Sequence, residues 1–493
     1  MAFPTWLYTL KNRLEHCQSQ RTGRRRALRK SAMCRLASEQ LEVRLVLSAT
    51  FGGALSIGNG TGNSDAYDVA TDGSGNSYMT GSFSGTVDFD QTAAVHLGDT
   101  DILTARGGGD AYVAKYAQDN SLLWVQRMGN DNLIGSDTGN TIAVDGVGNV
   151  YVAGHYYDID ATISADRDGF VAQLRVSDGA IIWTTYFGTP DVLDHVEGVG
   201  IDSAKNVYTL SQRSDSNQEV RKFNSNGGLL WTKSITTNQF LGGDLAVSAS
   251  GNVFVASVFL GTVDFDPGPK TYNISSNWAN TNGFVLKLDT NGKFGWVSPF
   301  LHHSSATLSA RVFARSVALD SSGNVVVGGH YYGLVDFDPS PGTTSLPTIG
   351  GAFITKLNSS GRLVWARSLE TSSFAFVRGV AVDAADSIYA TGDFQGIIDL
   401  NPSAASDARA SAGGKDIFVV KLTAAGNYSW AETFGGTGDD IGFGIAVDTA
   451  GTVHIAGYYQ NTIDFDPDPL STYYLTAPGT FRNAFLLKLK KKV

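Results

Sequence analysis

Apolar residues in this chain come in short runs, and the runs recur. After residue 50, segments such as Val150-Tyr151-Val152-Ala153 have the length of strands. Alternate side chains of a strand point to opposite faces, so these runs place apolar groups on both faces. β-Branched and aromatic residues suit such packed, pleated surfaces. Between the runs stand Asp-x-x-Gly-Asn segments, such as Asp320 to Asn324. These are turn chemistry: Asp and Asn bond nearby backbone groups, and Gly accepts positive φ. Helical periodicity is nearly absent after residue 50.

The runs assemble into one unit repeated seven times. Its first strand ends near Asp72, Asp145, Asp202, Ser248, Asp320, Asp383 and Asp448. Its second passes through Tyr78, Tyr151, Tyr208, Phe254, Val326, Tyr389 and His454. The third reads Ala-Tyr-Val-Ala-Lys-Tyr at 111–116 and returns as Phe-Val-Val-Lys-Leu at 418–422. The fourth carries Trp124, Trp183, Trp231, Trp296, Trp365 and Trp430. A period of about 60 residues with four short strands predicts an all-β fold: a seven-bladed β-propeller of four-stranded antiparallel blades.

The last unit stops after its third strand, so its fourth is expected from the other end of the chain. Phe51-Gly52-Gly53 repeats the Phe434-Gly435-Gly436 that follows Trp430. Each Trp has an apolar residue four places on: Met128, Phe187, Ile235, Phe300, Leu369 and Phe434. Phe51, four places after Leu47, is read as the next member. Residues 45–53 are therefore predicted to complete the last blade and remove an exposed edge. The division that follows is a basic leader without fixed structure at 1–44 and the propeller at 45–493.

Charge separates the same two segments. Residues 1–50 hold ten Lys or Arg and three Glu, or +7; the remaining 27 Lys or Arg and 44 Asp or Glu give −17. An acidic ring disfavours nucleic acid, whose phosphates dominate such binding. Both cysteines, Cys17 and Cys34, lie in the leader, so the ring needs no disulfide. No apolar stretch of 18 residues exists, so no transmembrane helix is expected.

Candidate chemistry is sparse. Asp88/Asp90, Asp264/Asp266, Asp336/Asp338 and Asp464/Asp466 form Asp-x-Asp pairs, with Asp158-Ile159-Asp160 and Asp399-Leu400-Asn401 as degenerate versions. In an extended segment i and i+2 point to one side, so a pair can aim two carboxylates at one calcium ion. Calcium wants six to eight oxygens, so loop carbonyls or water would complete the shell. The competing reading is a strand end whose Asp caps a turn before Pro. His155 and His330 share one repeat position, each in Gly-His-Tyr-Tyr; Ser82, Val258, Asp393 and Tyr458 fill it elsewhere. A varied position on an inner strand can face the central channel or a loop mouth, where a ligand would be met; the competing reading is tolerated variability in a packed repeat. Zinc has no third ligand here. Gly-x-Ser-x-Gly, His-Glu-x-x-His and phosphate loops are absent.

Three resemblances add to this. Gly-Asn-Val-Tyr-Val-Ala-Gly at 148–154, Gly-Thr-Val-Asp-Phe-Asp-Pro at 261–267 and Gly-Gly-Thr-Gly-Asp-Asp at 435–440 resemble the bacterial seven-bladed β-propeller repeat family, over residues 45–493. Its members are mostly uncharacterised exported proteins, so the likeness implies a fold and not an activity. Gly179/Trp183, Gly227/Trp231, Gly361/Trp365 and Gly426/Trp430 resemble the Gly-x-x-x-Trp docking motif of quinoprotein propellers. There the Trp is structural, and no quinone-binding cluster is found here. Leu41-Glu42-Val43-Arg44-Leu45-Val46-Leu47-Ser48, after the basic run, resembles the sorting segment at the start of exported planctomycete proteins. It implies export to the periplasm or cell surface.

The expected function is a binding or scaffolding module, a monomer that needs no cofactor and has calcium as its candidate ion. Its ligand would be a protein or carbohydrate, met by loops 91–109, 268–282 and 339–351. The competing class is an enzyme, either a quinoprotein dehydrogenase or one acting on polysaccharide through carboxylates from different blades.

Overall fold

The computed structural model describes residues 49–491, except 59–60, 91–100, 130–134, 147, 158–166, 190–191, 240, 277–280, 303–309, 341 and 347–349. The expected leader at 1–44, the first four residues of the expected closing strand and Asp158-Ile159-Asp160 therefore lie outside the described residues. Among those described there is no helix.

Seven four-stranded antiparallel blades form the fold. Their inner strands are Ser64–Thr71, Thr138–Val144, Asp194–Ile201, Asp244–Val247, Arg311–Leu319, Phe374–Val382 and Ile441–Val447, in blades 1 to 7. Each inner strand packs on the next, and the seventh packs on the first, so the ring is closed.

The unit's fixed residues tie each blade together and to its neighbour. Asp72 accepts bonds from Asn76 Nδ2 at 2.7 Å and from the Tyr78 hydroxyl at 2.8 Å. Its other oxygen accepts the Ser74 and Asn76 backbone N–H groups. Asp202 and Asp383 take the hydroxyls of Tyr208 and Tyr389 in the same way. Trp124, Trp183, Trp296 and Trp365 lie against the Gly turn of the following blade: a Cβ on Gly179 would meet Trp124 at 2.5 Å, and one on Gly426 would meet Trp365 at 2.7 Å. Those glycines have φ of +72° and +75°, a left-handed conformation that suits Gly. The indole N–H of Trp124 donates to Val176 O at 3.0 Å and that of Trp296 to Ser359 O at 3.1 Å. The Gly-x-x-x-Trp spacing is thus a blade-to-blade latch.

The last blade is completed from the chain start, as expected, but by a strand whose described part extends past residue 53 and which pairs in another register. Ala49–Ile57 pairs antiparallel with Arg482–Lys491. Phe51 faces Leu489, Gly53 faces Lys488 and Ile57 faces Ala484. In the other blades the Trp faces the residue equivalent to Lys488, as Trp430 faces Lys421. Gly53 therefore stands in the Trp position. Phe51 matches Tyr428, and Ile57, fully buried, continues the series from Met128 to Phe434. The Phe-Gly-Gly likeness misled because both segments share a short string, while burial of the blade's far end selects Ile57.

Candidate functional site

The chemistry gathers at the hub. In six inner strands a β-bulge inserts one residue that has no partner on the second strand: Tyr67, Asn140, Glu197, Arg315, Arg378 and Phe443. A bulge bends its strand and re-aims a side chain. In blade 4 Gly243 holds the equivalent place, just before the strand begins at Asp244. All seven residues line one cavity of about 220 Å³ on the channel axis.

The bulge explains a glycine in the unit. On the second strand, a Cβ on Gly81, Gly154, Gly329, Gly392 or Gly457 would lie 1.8–1.9 Å from a carbonyl of its own inner strand. The bulge pushes that carbonyl across, so no side chain fits opposite it. Blade 3 keeps the bulge with Ser211 there instead.

After each bulge comes a stitch to the next blade. Asp68 accepts Ile142 N–H at 2.9 Å, and Asp244 accepts Val317 N–H at 2.9 Å. Ser316 Oγ accepts Val380 N–H at 3.1 Å. At Gly379 and Gly444 the strands touch directly, since a Cβ would meet Phe443 O at 2.6 Å and Asp68 Cα at 2.7 Å.

Charge in the channel is mixed. Burial raises Glu197 to about 7, against the pull of Arg315. Burial raises Asp244 to about 7, with Asp68 adding to it, and Asp68 to about 6. Burial also lowers Arg315, opposed by Glu197. Arg378 bonds Asp393 through Nε and lies over the rings of Phe376 and Phe443, at 5.7 and 5.0 Å. Arg315 lies 5.5 Å over Phe313.

The position shared by His155 and His330 backs the channel. It lies on the second strand, not the innermost, and neither histidine lines the hub cavity. His155 Nδ1 is 3.3 Å from Asn140 Nδ2, and its ring stacks on His195 at 4.5 Å. His330 is sandwiched between Phe313 and Phe376 at 4.4 and 4.2 Å. Burial pushes His330 down to about 2 and His155 well below the usual histidine range. The same place in other blades braces its own bulged residue: Ser82 bonds the Tyr67 hydroxyl at 3.4 Å and Asp393 holds Arg378.

None of the Asp-x-Asp pairs lines this cavity. Blades 1, 4 and 7 carry theirs in two-stranded hairpins, beginning Thr86–Asp88, Thr262–Asp264 and Thr462–Asp464. The middle residue plugs the seam: Phe89, Phe265, Phe337, Leu400 and Phe465 are fully buried. The first Asp of each pair clamps its loop by accepting the backbone N–H of the second. Asp88 accepts Asp90 N–H at 2.9 Å, Asp264 accepts Asp266 at 3.1 Å, Asp336 accepts Asp338 at 3.0 Å and Asp464 accepts Asp466 at 3.1 Å. In three pairs the second Asp caps the following turn: Asp266 accepts Gly268 N–H, Asp338 accepts Ser340 N–H and Asp466 accepts Asp468 N–H, at 2.8–2.9 Å. Asp90 ends the described part of its loop. Among the described residues no group of three or more His, Cys, Asp or Glu is placed to hold a metal ion. Calcium at Asp88/Asp90, Asp264/Asp266, Asp336/Asp338 or Asp464/Asp466 would have to be completed by loop carbonyls or water rather than by a third carboxylate. The pairs do not converge with a third carboxylate, and their first Asp spends an oxygen on the backbone of the second.

Sequence reasoning passed over the bulged residues, although a signal existed. Tyr67, Asn140, Glu197, Gly243, Arg315, Arg378 and Phe443 each stand five places before their turn anchor, Asp72 to Asp448. They are the varied position in an otherwise constant strand.

Comparison with known proteins agrees on architecture. Residues 123–155 match the family described as a beta-propeller repeat. That stretch spans the outer strand of blade 1 and the first two strands of blade 2. An uncharacterized WD repeat-containing protein of Acanthamoeba polyphaga mimivirus is 24% identical over 310 residues, 55% of this chain and 22% of that protein. The match thus spans about a fifth of that relative's length. A protein of unknown function from Dyadobacter fermentans is 12% identical, covering 90% of this chain and 99% of that one, with a TM-score of 0.42. The quinohemoprotein alcohol dehydrogenase of Comamonas testosteroni is 10% identical, covering 92% of this chain and 78% of that one, with a TM-score of 0.43. What the chain shares with its matched family is the β-propeller repeat itself.

Proposed function

We propose that this chain is a binding propeller, exported to the periplasm or cell surface, whose recognition site is the mouth and bore of the central channel. One observation carries the reading. The framework of the seven inner strands is constant, while the residue that each blade holds at the bulge place, lining the hub cavity, differs in charge, size and aromaticity. A ring built that way displays chemistry rather than merely packing it. Pockets with a few convergent polar groups are the usual place for a ligand. The basic leader and the Leu-Glu-Val-Arg-Leu segment support export.

The test has two parts. The purified full chain is screened on arrays of glycans, peptides and small metabolites, and hits are repeated with Arg315→Met. A hit lost in that variant supports channel recognition; hits indifferent to it, or none, overturn it. Fractionation of the producing cells tests export, and a cytosolic pool alone sinks that half.

A further inference from the structure

We propose that the channel binds a small zwitterion of the amino-acid class, with its carboxylate on Arg315 and Arg378 and its ammonium on Glu197. The proposal rests on the channel reading above and names its ligand chemistry.

The first argument is unused bonding capacity. A guanidinium has five N–H donors. Arg315 makes one bond among the described residues, a long one of 3.4 Å to Leu241 O. Arg378 is fixed to Asp393 through Nε, which leaves its two terminal nitrogens for another acceptor. Glu197 has no hydrogen-bond partner among the described residues, although it is set deep in the channel. All three side chains are half-buried and reach the channel, so their unused donors and acceptors are open to a ligand that supplies both partners.

Placement gives the second argument. Arg315 and Arg378 come from adjacent blades and both line the cavity, and a guanidinium is the cation best matched to a carboxylate. Phe313, Phe376 and Phe443 hold them from the faces. Glu197 comes from blade 3, and between it and Arg315 the ring has only Gly243. The two opposite charges feel each other but form no ion pair within 4.0 Å. A gap is thus held open between a cationic pair and an anion.

Sign narrows the alternatives. The cavity of about 220 Å³ has room for a small zwitterion. A divalent cation would meet two guanidinium groups. A simple anion would satisfy the arginines and leave Glu197 facing added negative charge.

The experiment is calorimetry and thermal melting of the full chain with five probes: glycine, β-alanine, γ-aminobutyrate, acetate and ethylammonium. The expected result is that one of the zwitterions binds at least about tenfold more tightly than acetate and ethylammonium. Glu197→Gln and Arg315→Lys should each weaken that binding by about tenfold or more, while Asp466→Asn, outside the channel, leaves it unchanged. Acetate binding as well as every zwitterion, or no zwitterion binding, overturns the proposal. The probe series on the unaltered protein decides even if a variant fails to fold. An array ligand lost in Arg315→Met but kept in Glu197→Gln would preserve the binding-propeller reading and sink this one.

Discussion

Asn120 fills the space that Gly53 leaves empty at the seam of the ring. At four other seams the latch is a Trp on one blade against a Gly turn on the next: Trp124/Gly179, Trp183/Gly227, Trp296/Gly361 and Trp365/Gly426. At the seam both residues are exchanged: Gly53 replaces the Trp, and Asn120, at φ 72°, replaces the Gly. A Cβ on Gly53 would meet Asn120 Nδ2 at 2.7 Å. Lys488 Nζ meanwhile donates to Ala117 O at 2.7 Å, as Lys115 donates to Val176 O at the next seam.

The pair predicts a coupled mutant cycle. Gly53→Ala meets Asn120 and also needs a φ of +132°, so it should destabilise by more than the ~1 kcal/mol of a conformational cost alone. In an Asn120→Gly background the steric part disappears. Urea denaturation of both singles and the double should give a coupling of about 0.5–3 kcal/mol. Strict additivity would mean the two residues do not meet.

How far the sequence could be read follows from what repeats. Blade number, strand order and the Trp latch repeat, so period and turn chemistry disclosed them. The exchange at Gly53 and Asn120 occurs once, and a reading that sought another Trp-like series settled on Phe51. The hub residues escaped for a different reason. Glu197 and Arg315 stand at a visibly varied place in the strand, but only the bulge turns that place to the hub, because regular alternation would send them elsewhere. His155 and His330 stood out by rarity, yet their work is to brace the neighbouring strand.

The bulges themselves can be tested at Gly392. A Cβ there would lie 1.8 Å from Phe376 O, so Gly392→Ala must displace the strand that carries Arg378. The expected cost is about 1–3 kcal/mol. Gly323→Ala is the control: it has φ 73° but nothing within 4 Å, and should cost about 1 kcal/mol at most. Equal losses in the two variants would show that the bulge imposes no steric demand.

Buried acids and buried histidines pull the pH dependence in opposite directions. Asp244, raised to about 7 by burial, keeps its proton in the folded state where the unfolded chain has lost it. Its contribution is fully present below about pH 4 and is lost as pH rises through about 7. His330, lowered to about 2 by burial, stays neutral where the unfolded chain is protonated. Its contribution is present above about pH 6.5 and is lost as pH falls. Relative to the parent, Asp244→Asn should gain about 1.4 kcal/mol per pH unit as pH rises from 4.5 to 6.5. His330→Phe should gain at a similar rate as pH falls over the same range. Urea titrations at pH 5 and 6.5 check both signs, and parallel curves would refute the assignments.

Calcium can be tested against the turn chemistry of the Asp-x-Asp pairs. Asp264 Oδ1 accepts Tyr272 N–H at 2.7 Å as well as Asp266 N–H, and Asp464 Oδ1 accepts Tyr473 N–H at 2.8 Å as well as Asp466 N–H. Asp88 Oδ1 is likewise engaged by Asp90 N–H. An oxygen engaged by backbone donors is a poor ligand for a cation that wants six or more. Millimolar calcium should move the melting temperature no more than matched sodium chloride does. Asp336→Ala removes the acceptor of both Asp338 and Thr344 N–H groups and should cost about 1–2 kcal/mol. A calcium-dependent rise of several degrees would instead put the ion at these hairpins.

Removing the strand Ala49–Ile57 should open the ring. The deletion uncovers the edge of Arg482–Lys491 and exposes Leu487 and Leu489, both fully buried in the intact blade. It also removes Ile57 from the cluster that holds Phe89 and Leu486. An uncovered edge with an apolar face invites pairing with another chain, so the truncated protein should melt lower and associate as concentration rises. A synthetic peptide of residues 49–57, added in excess, should restore part of the lost melting temperature, because it replaces the same ladder. Its Ile57→Asp version should fail, since a charge would enter a site with no exposure. An unchanged melting temperature after truncation would mean that the seam is held by the inner strands alone.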